Sequence, residues 1–135
     1  MDIFYKILHA GRFLPPKKVR ENLLKHFPQA KSTEWVKNSD SYEAIFYDEN
    51  IEKIARFSKD GSLTEYRINI RPEALASLLP ENILKAAASE GEIMNCISVQ
   101  NNDSLLYEFI VRNKSLVRYL LVINSDGEKT GPVKL

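Results

Sequence analysis

The feature of this chain that most restricts its fold is a recurrence at 64 to 66 residues. Pro16 and Pro80 lie 64 apart, and so do Val19 and Ile83, which share a helical phase. Tyr42-Glu43 returns as Tyr107-Glu108 at 65, and Asp60-Gly61 returns as Asp126-Gly127 at 66. A drift of one or two residues is what short hairpin insertions produce. A rival register matches Glu21-Asn22-Leu23-Leu24-Lys25 to Glu81-Asn82-Ile83-Leu84-Lys85 at 60. It misplaces both helix-opening prolines and the downstream turns, so the longer spacing stands.

Each repeat reads as one helix followed by strands. Behind Pro16, placed at the first helical position, Val19, Leu23, Leu24 and Phe27 recur at helical spacing until Pro28 ends the run. Strands are expected from Ser32 to Val36, Tyr42 to Tyr47, Glu52 to Phe57 and Leu63 to Ile70, with Asp60-Gly61 as the strongest turn signal. In the second repeat a helical turn from Pro72 to Leu78 precedes a helix opened by Leu79-Pro80. That helix carries Ile83, Leu84, Ala87 and Ala88 and stops near Glu90-Gly91. Strands follow from Met94 to Val99, Leu105 to Val111 and Leu116 to Ile123, then a short tail through Pro132. The expected fold is α+β: two tandem helix-plus-antiparallel-meander units forming a curved sheet with the helices on one face. The boundaries are a leader at 1–15, in which Phe4, Ile7 and Leu8 can tuck against the body, a first unit at 16–71 and a second at 72–135.

Composition narrows the function classes. The chain has 135 residues, 19 Lys+Arg against 18 Asp+Glu, and 44% hydrophobic residues, enough for a core without staples. Near-neutral charge argues against nucleic acid as a partner, and Lys17, Lys18 and Arg20 read as a solvated helix face. The single cysteine, Cys96, allows no intrachain disulfide and reads as a small buried residue. His9, His26 and Cys96 are too dispersed for a zinc site, and His26 sits where a helix presents its carbonyls. Asp60 and Asp126 are hairpin-turn residues, not a carboxylate pair. Phosphate-loop, dinucleotide and nucleophile-elbow patterns are missing, so no catalytic, metal or cofactor-binding residue is assigned and an enzyme is not expected. No apolar run is long enough for a membrane anchor, and residues 1–10 lack the pattern of a signal peptide.

The repeats also resemble a known family. Val19-Arg20-Glu21-Asn22-Leu23-Leu24-Lys25-His26-Phe27-Pro28-Gln29-Ala30, then Trp35, then Tyr42-Glu43-Ala44-Ile45-Phe46 resemble the first unit of PepSY-like, or β-lactamase-inhibitor-protein-like, proteins. Ala55-Arg56-Phe57-Ser58-Lys59-Asp60-Gly61 is similar to that family's apolar strand ending in an Asp-Gly turn. Leu79-Pro80-Glu81-Asn82-Ile83, Tyr107-Glu108-Phe109 and Val122-Ile123-Asn124-Ser125-Asp126-Gly127 resemble the corresponding parts of the second unit. There Gly91-Glu92-Ile93 stands where an aromatic-Pro helix end is typical, and no tryptophan follows. The resemblance implies a continuous curved antiparallel sheet, a periplasmic or secreted location, and binding or inhibition of other proteins.

The expected function is therefore noncatalytic binding of a protein or peptide through the sheet. The strand from Tyr42 to Tyr47 and that from Leu116 to Ile123 are apolar on both faces, which calls for cover on the second face. The residues assigned to partner binding are Trp35, Tyr42, Tyr66, Tyr107 and Tyr119, large aromatics able to act as hot spots. A carrier of a small apolar ligand or lipid is the alternative and requires an enclosed apolar pocket. A homodimer is a third reading.

Overall fold

The computed structural model describes residues 13–135; the sequence expectations for Phe4, Ile7, Leu8 and His9 lie outside them. The element order is α1 (Lys17–His26), β1 (Lys31–Lys37), β2 (Ser41–Asp48), β3 (Ile51–Ser58) and β4 (Leu63–Ile70). A 3-10 turn (Pro72–Ala74) then leads into α2 (Leu75–Leu78) and α3 (Glu81–Ala88). The chain closes with β5 (Glu92–Asn101), β6 (Leu105–Arg112), β7 (Arg118–Asn124) and β8 (Lys129–Lys134). Strand order is chain order, so the fold is α+β on an open antiparallel sheet of eight strands. Two compact units divide between Arg67 and Ile68, inside β4.

In the first unit the extended backbone of Pro16 (φ −52°, ψ 151°) makes it the residue before the helix and not its first turn. Its carbonyl accepts from the Val19 and Arg20 amides at 3.0 and 3.2 Å. Val19 and Leu23 point α1 into a core with Phe27, Trp35, Ala44, Phe46, Ala55 and Phe57. Phe27 packs 5.0 Å from Phe46 and edge-on to Tyr66 at 5.6 Å, ring centre to ring centre, an arrangement that ring quadrupoles favour. At the Asp60-Gly61 turn Gly61 takes φ +95°, and the Asn22 side-chain amide donates to its carbonyl, tying α1 to the hairpin.

The second unit repeats the devices. The Pro80 carbonyl accepts from Ile83 and Leu84, and Ile83 and Ala87 point α3 into a core with Cys96, Phe109, Val111, Leu121 and Ile123. Gly127 (φ +86°) donates to Asn124 at 2.9 Å as Gly61 donates to Ser58 at 3.0 Å. Three boundaries differ from expectation. β5 runs from Glu92 to Asn101, longer than the apolar stretch, with a bulge between Ile93 and Asn95. β7 begins at Arg118 because Leu116 is left-handed (φ +64°) in a turn where the Asn113 carboxamide oxygen accepts from the Ser115 and Val117 amides. The tail is a strand, β8, whose six residues are all exposed; Pro132 is tolerated there because an edge strand need not donate on both sides.

Gly91 marks the passage from α3 to β5. Its φ is +154°, and a Cβ there meets the Arg112 carbonyl oxygen at 2.7 Å. Backbone atoms cannot yield as a flexible side chain can. Gly91→Ala is expected to destabilise the chain by about 1–3 kcal/mol or more, read as a lower urea midpoint with an unchanged slope.

Candidate functional site

Cross-strand register fixes which residues share a face. Under α1 lie the rows Trp35–Ala44–Ala55 and Tyr42–Phe57. Under α3 lie Cys96–Phe109–Leu121 and Ser98–Tyr107–Ile123. The five aromatics assigned to a partner all fall on these helix-covered faces. Trp35 is 9% and Tyr107 6% exposed. Tyr42, Tyr66 and Tyr119 are half-buried and pack against the two cores, with Tyr42 stacked on Phe13 at 5.8 Å. The structure brings Trp35, Tyr42 and Tyr66 together around one core, and Tyr107 and Tyr119 around the other. Burial, and beyond it the neighbouring Cys96 thiol, push the Tyr107 hydroxyl above its ordinary pKa of 10.0, so it stays neutral.

The faces that, among the described residues, carry no helix have a different character. In the second unit the rows are Asn95–Ile110–Leu120–Val133, Ile97–Glu108–Val122–Thr130 and Val99–Leu106–Asn124. Six aliphatic side chains (Ile97, Val99, Leu106, Ile110, Leu120 and Val122) thus line one face; Val99 is buried and the other five are half-buried. Sequence reasoning passed them over because it looked for aromatics. The signal was present as the second apolar parity of β7, where Leu120 and Val122 alternate with Tyr119, Leu121 and Ile123.

In the first unit the equivalent rows are Glu34–Ile45–Ile54 and Val36–Glu43–Arg56. Glu43 is 9% exposed and accepts from Asn38 at 2.5 Å and from Arg56 at 3.2 Å. Arg56 also lies 3.8 Å from Glu65, which takes a further bond from Arg67 at 3.3 Å. Such a ladder of opposite charges keeps each buried carboxylate paired, as its desolvation demands. The Ile45–Ile54 pair beside it and the exposed Tyr47 at the end of β2 complete that face.

Among the described residues no three His, Cys, Asp or Glu side chains converge on a metal-sized space, and no helix is long and apolar enough to cross a membrane. Among the described residues, clefts occur at the β2–β3 turn and beside Gly91 and Arg112; both are open, unlike the enclosed apolar pocket a carrier needs.

An open antiparallel sheet of eight strands with short helices defines a structural class known from solved proteins. No family profile and no curated protein matches this sequence. By structure it is similar to a DUF2874 family protein from Bacteroides uniformis, with a TM-score of 0.76, 19% identity and 90% of each chain covered. A BLIP-like protein from Bacteroides fragilis matches with a TM-score of 0.75 and 15% identity, over 93% of this chain and 90% of that one. A protein from Bacteroides eggerthii, named as a candidate periplasmic protein, matches with a TM-score of 0.75, 20% identity and 90% of each chain. At these identities the likeness shows the fold: a BLIP-like fold.

Proposed function

We propose that this is a noncatalytic binding protein of PepSY-like type, with units at 16–71 and 72–135, that grips a protein or peptide on the sheet face away from α1 and α3. The observation that carries the reading is the aliphatic surface of β5–β7, above all Ile110 and Leu120, paired across adjacent strands on the side away from α3. A face of this kind gains about 25 cal/mol for each Å² of apolar area a partner covers. A periplasmic or secreted location fits the resemblance and the name of the Bacteroides eggerthii neighbour.

The test compares the native chain with Ile110→Lys/Leu120→Lys. Both side chains lie outside the core, so the variant is expected to keep its far-ultraviolet circular dichroism and to lose a captured partner by roughly tenfold or more. Equal capture by both proteins sinks the proposal. Self-association is read separately by sedimentation; a dimer lost in the double variant identifies the partner as a second copy.

A further inference from the structure

The geometry points to a second, separate site: the open cleft at the tip of the β2–β3 hairpin binds a neutral saccharide. This does not rest on the sheet-face reading. The cleft has a volume of about 300 Å³ and is lined by Gln29, Lys31, Tyr47, Glu49 and Asn50. That is the lower end of the range for ligand sites and suits one sugar ring, with the rest of an oligosaccharide leaving through the open side.

The lining selects the ligand class. One ammonium and one carboxylate leave the cleft with no formal charge, which disfavours a sulfate or phosphate. One carboxylate is too few for a calcium-like cation, which takes six to eight oxygens. A mostly polar wall disfavours an apolar ligand. What remains is a ligand rich in hydroxyls. The two carboxamides each offer donors and an acceptor, as a hydroxyl requires, and Glu49 and Lys31 add an acceptor and a donor. Tyr47, 44% exposed, supplies an aromatic ring against which the C–H face of a sugar can lie.

The hairpin turn sets where the side chains at the cleft begin. Asp48 pairs with Ile51, so Glu49-Asn50 is a two-residue turn, and both residues are left-handed at φ +51° and +65°. Such turns favour Asn-Gly. Asn50 suits its place, but Glu49 holds a carboxylate over the cleft in a conformation that asparagine adopts more easily. Ser32, beside Lys31, is also left-handed (φ +54°) at the bulge of β1.

The experiment titrates isotope-labelled protein with maltotriose, cellotriose and chitotriose in turn, and with sodium sulfate, up to about 10 mM, following backbone amide shifts. Expected are saturable shifts at Lys31, Tyr47, Glu49 and Asn50 with at least one trisaccharide and not with sulfate. Tyr47→Ala, at an exposed position, is expected to weaken that binding roughly tenfold while shifts elsewhere stay in place. Glu49→Asn is expected to raise the urea midpoint and weaken binding together, which a purely structural turn residue does not do. The inference is overturned by no saturable shift with any of the three sugars, by equal response to sulfate, or by undiminished binding in Tyr47→Ala.

Discussion

Trp35→Cys and Ala44→Phe are each expected to be damaging alone and to compensate when combined. Trp35 faces Ala44 across β1–β2, and Ala44 faces Ala55 across β2–β3. At the matching place in the second unit, Cys96 faces Phe109 and Phe109 faces Leu121. One row is large-small-small and the other small-large-large, so each fills the space beneath its helix with a different distribution of volume. Removing the indole opens a cavity and is expected to cost about 3–5 kcal/mol. Adding a phenyl ring at Ala44, which is fully buried against Trp35, overpacks the row at about 1–3 kcal/mol. In the double variant the new ring enters the space the indole left, and the loss is expected to be smaller than the sum by at least about 1 kcal/mol. Urea unfolding of the four proteins reads the coupling. Strict additivity means the two residues do not share that space.

The second repeat has Cys96 where the first has Trp35, with Phe109 and Leu121 opposite in place of two alanines, a correspondence on which the sequence was opaque. Seven residues separate Trp35 from Tyr42 but eleven separate Cys96 from Tyr107, because the β5–β6 hairpin is longer. No constant spacing therefore links Trp35 with Cys96; only the strand register does. The turns and helix starts were legible because their chemistry is local. Proline before a helix and glycine at positive φ recur in equivalent hydrogen bonds, from Pro16 and Pro80 and from Ser58 and Asn124. β8 was not legible, since an edge strand with every side chain in solvent has no alternation to read.

The candidate surface was half legible. Alternation along β2 and β7 separates two sets of side chains, but it cannot say which set a helix covers when both are apolar. The choice of aromatics as partner contacts rested on residue type, and the structure places all five on the faces that carry α1 and α3, two of them buried and three half-buried. Tyr107 joins Phe109 and Ile123 beneath α3, and Trp35 lies 6.0 Å from Phe57 beneath α1. The opposite faces also diverge between repeats. Where the first unit sets Arg56 opposite Glu43, the second sets Val122 opposite Glu108. The covered rows thus differ in how volume is distributed, while the opposite face is ionic in the first unit and largely aliphatic in the second.

Cys96 is expected to resist thiol reagents in the native protein and to make the fold sensitive to alkali. Its side chain is fully buried in the second core, and desolvation pushes the thiol from 9.0 up to about 12. Only the thiolate reacts, and it needs access that opening of the structure alone provides. Maleimide labelling at neutral pH is therefore expected to be roughly 1000-fold or more slower than in denaturant. The folded state holds this proton more tightly than the unfolded chain does. Stability is consequently intact below pH 9 and is withdrawn as the pH rises from 9 toward 12, by at most about 4 kcal/mol. Ionisation of Tyr107, also raised by burial, acts in the same direction. Cys96→Ala removes the first contribution at the expense of a small cavity, so its stability falls less steeply from pH 9 upward than that of the native chain. Rapid labelling under native conditions, or parallel alkaline slopes in the two proteins, places the thiol outside the core and refutes the expectation.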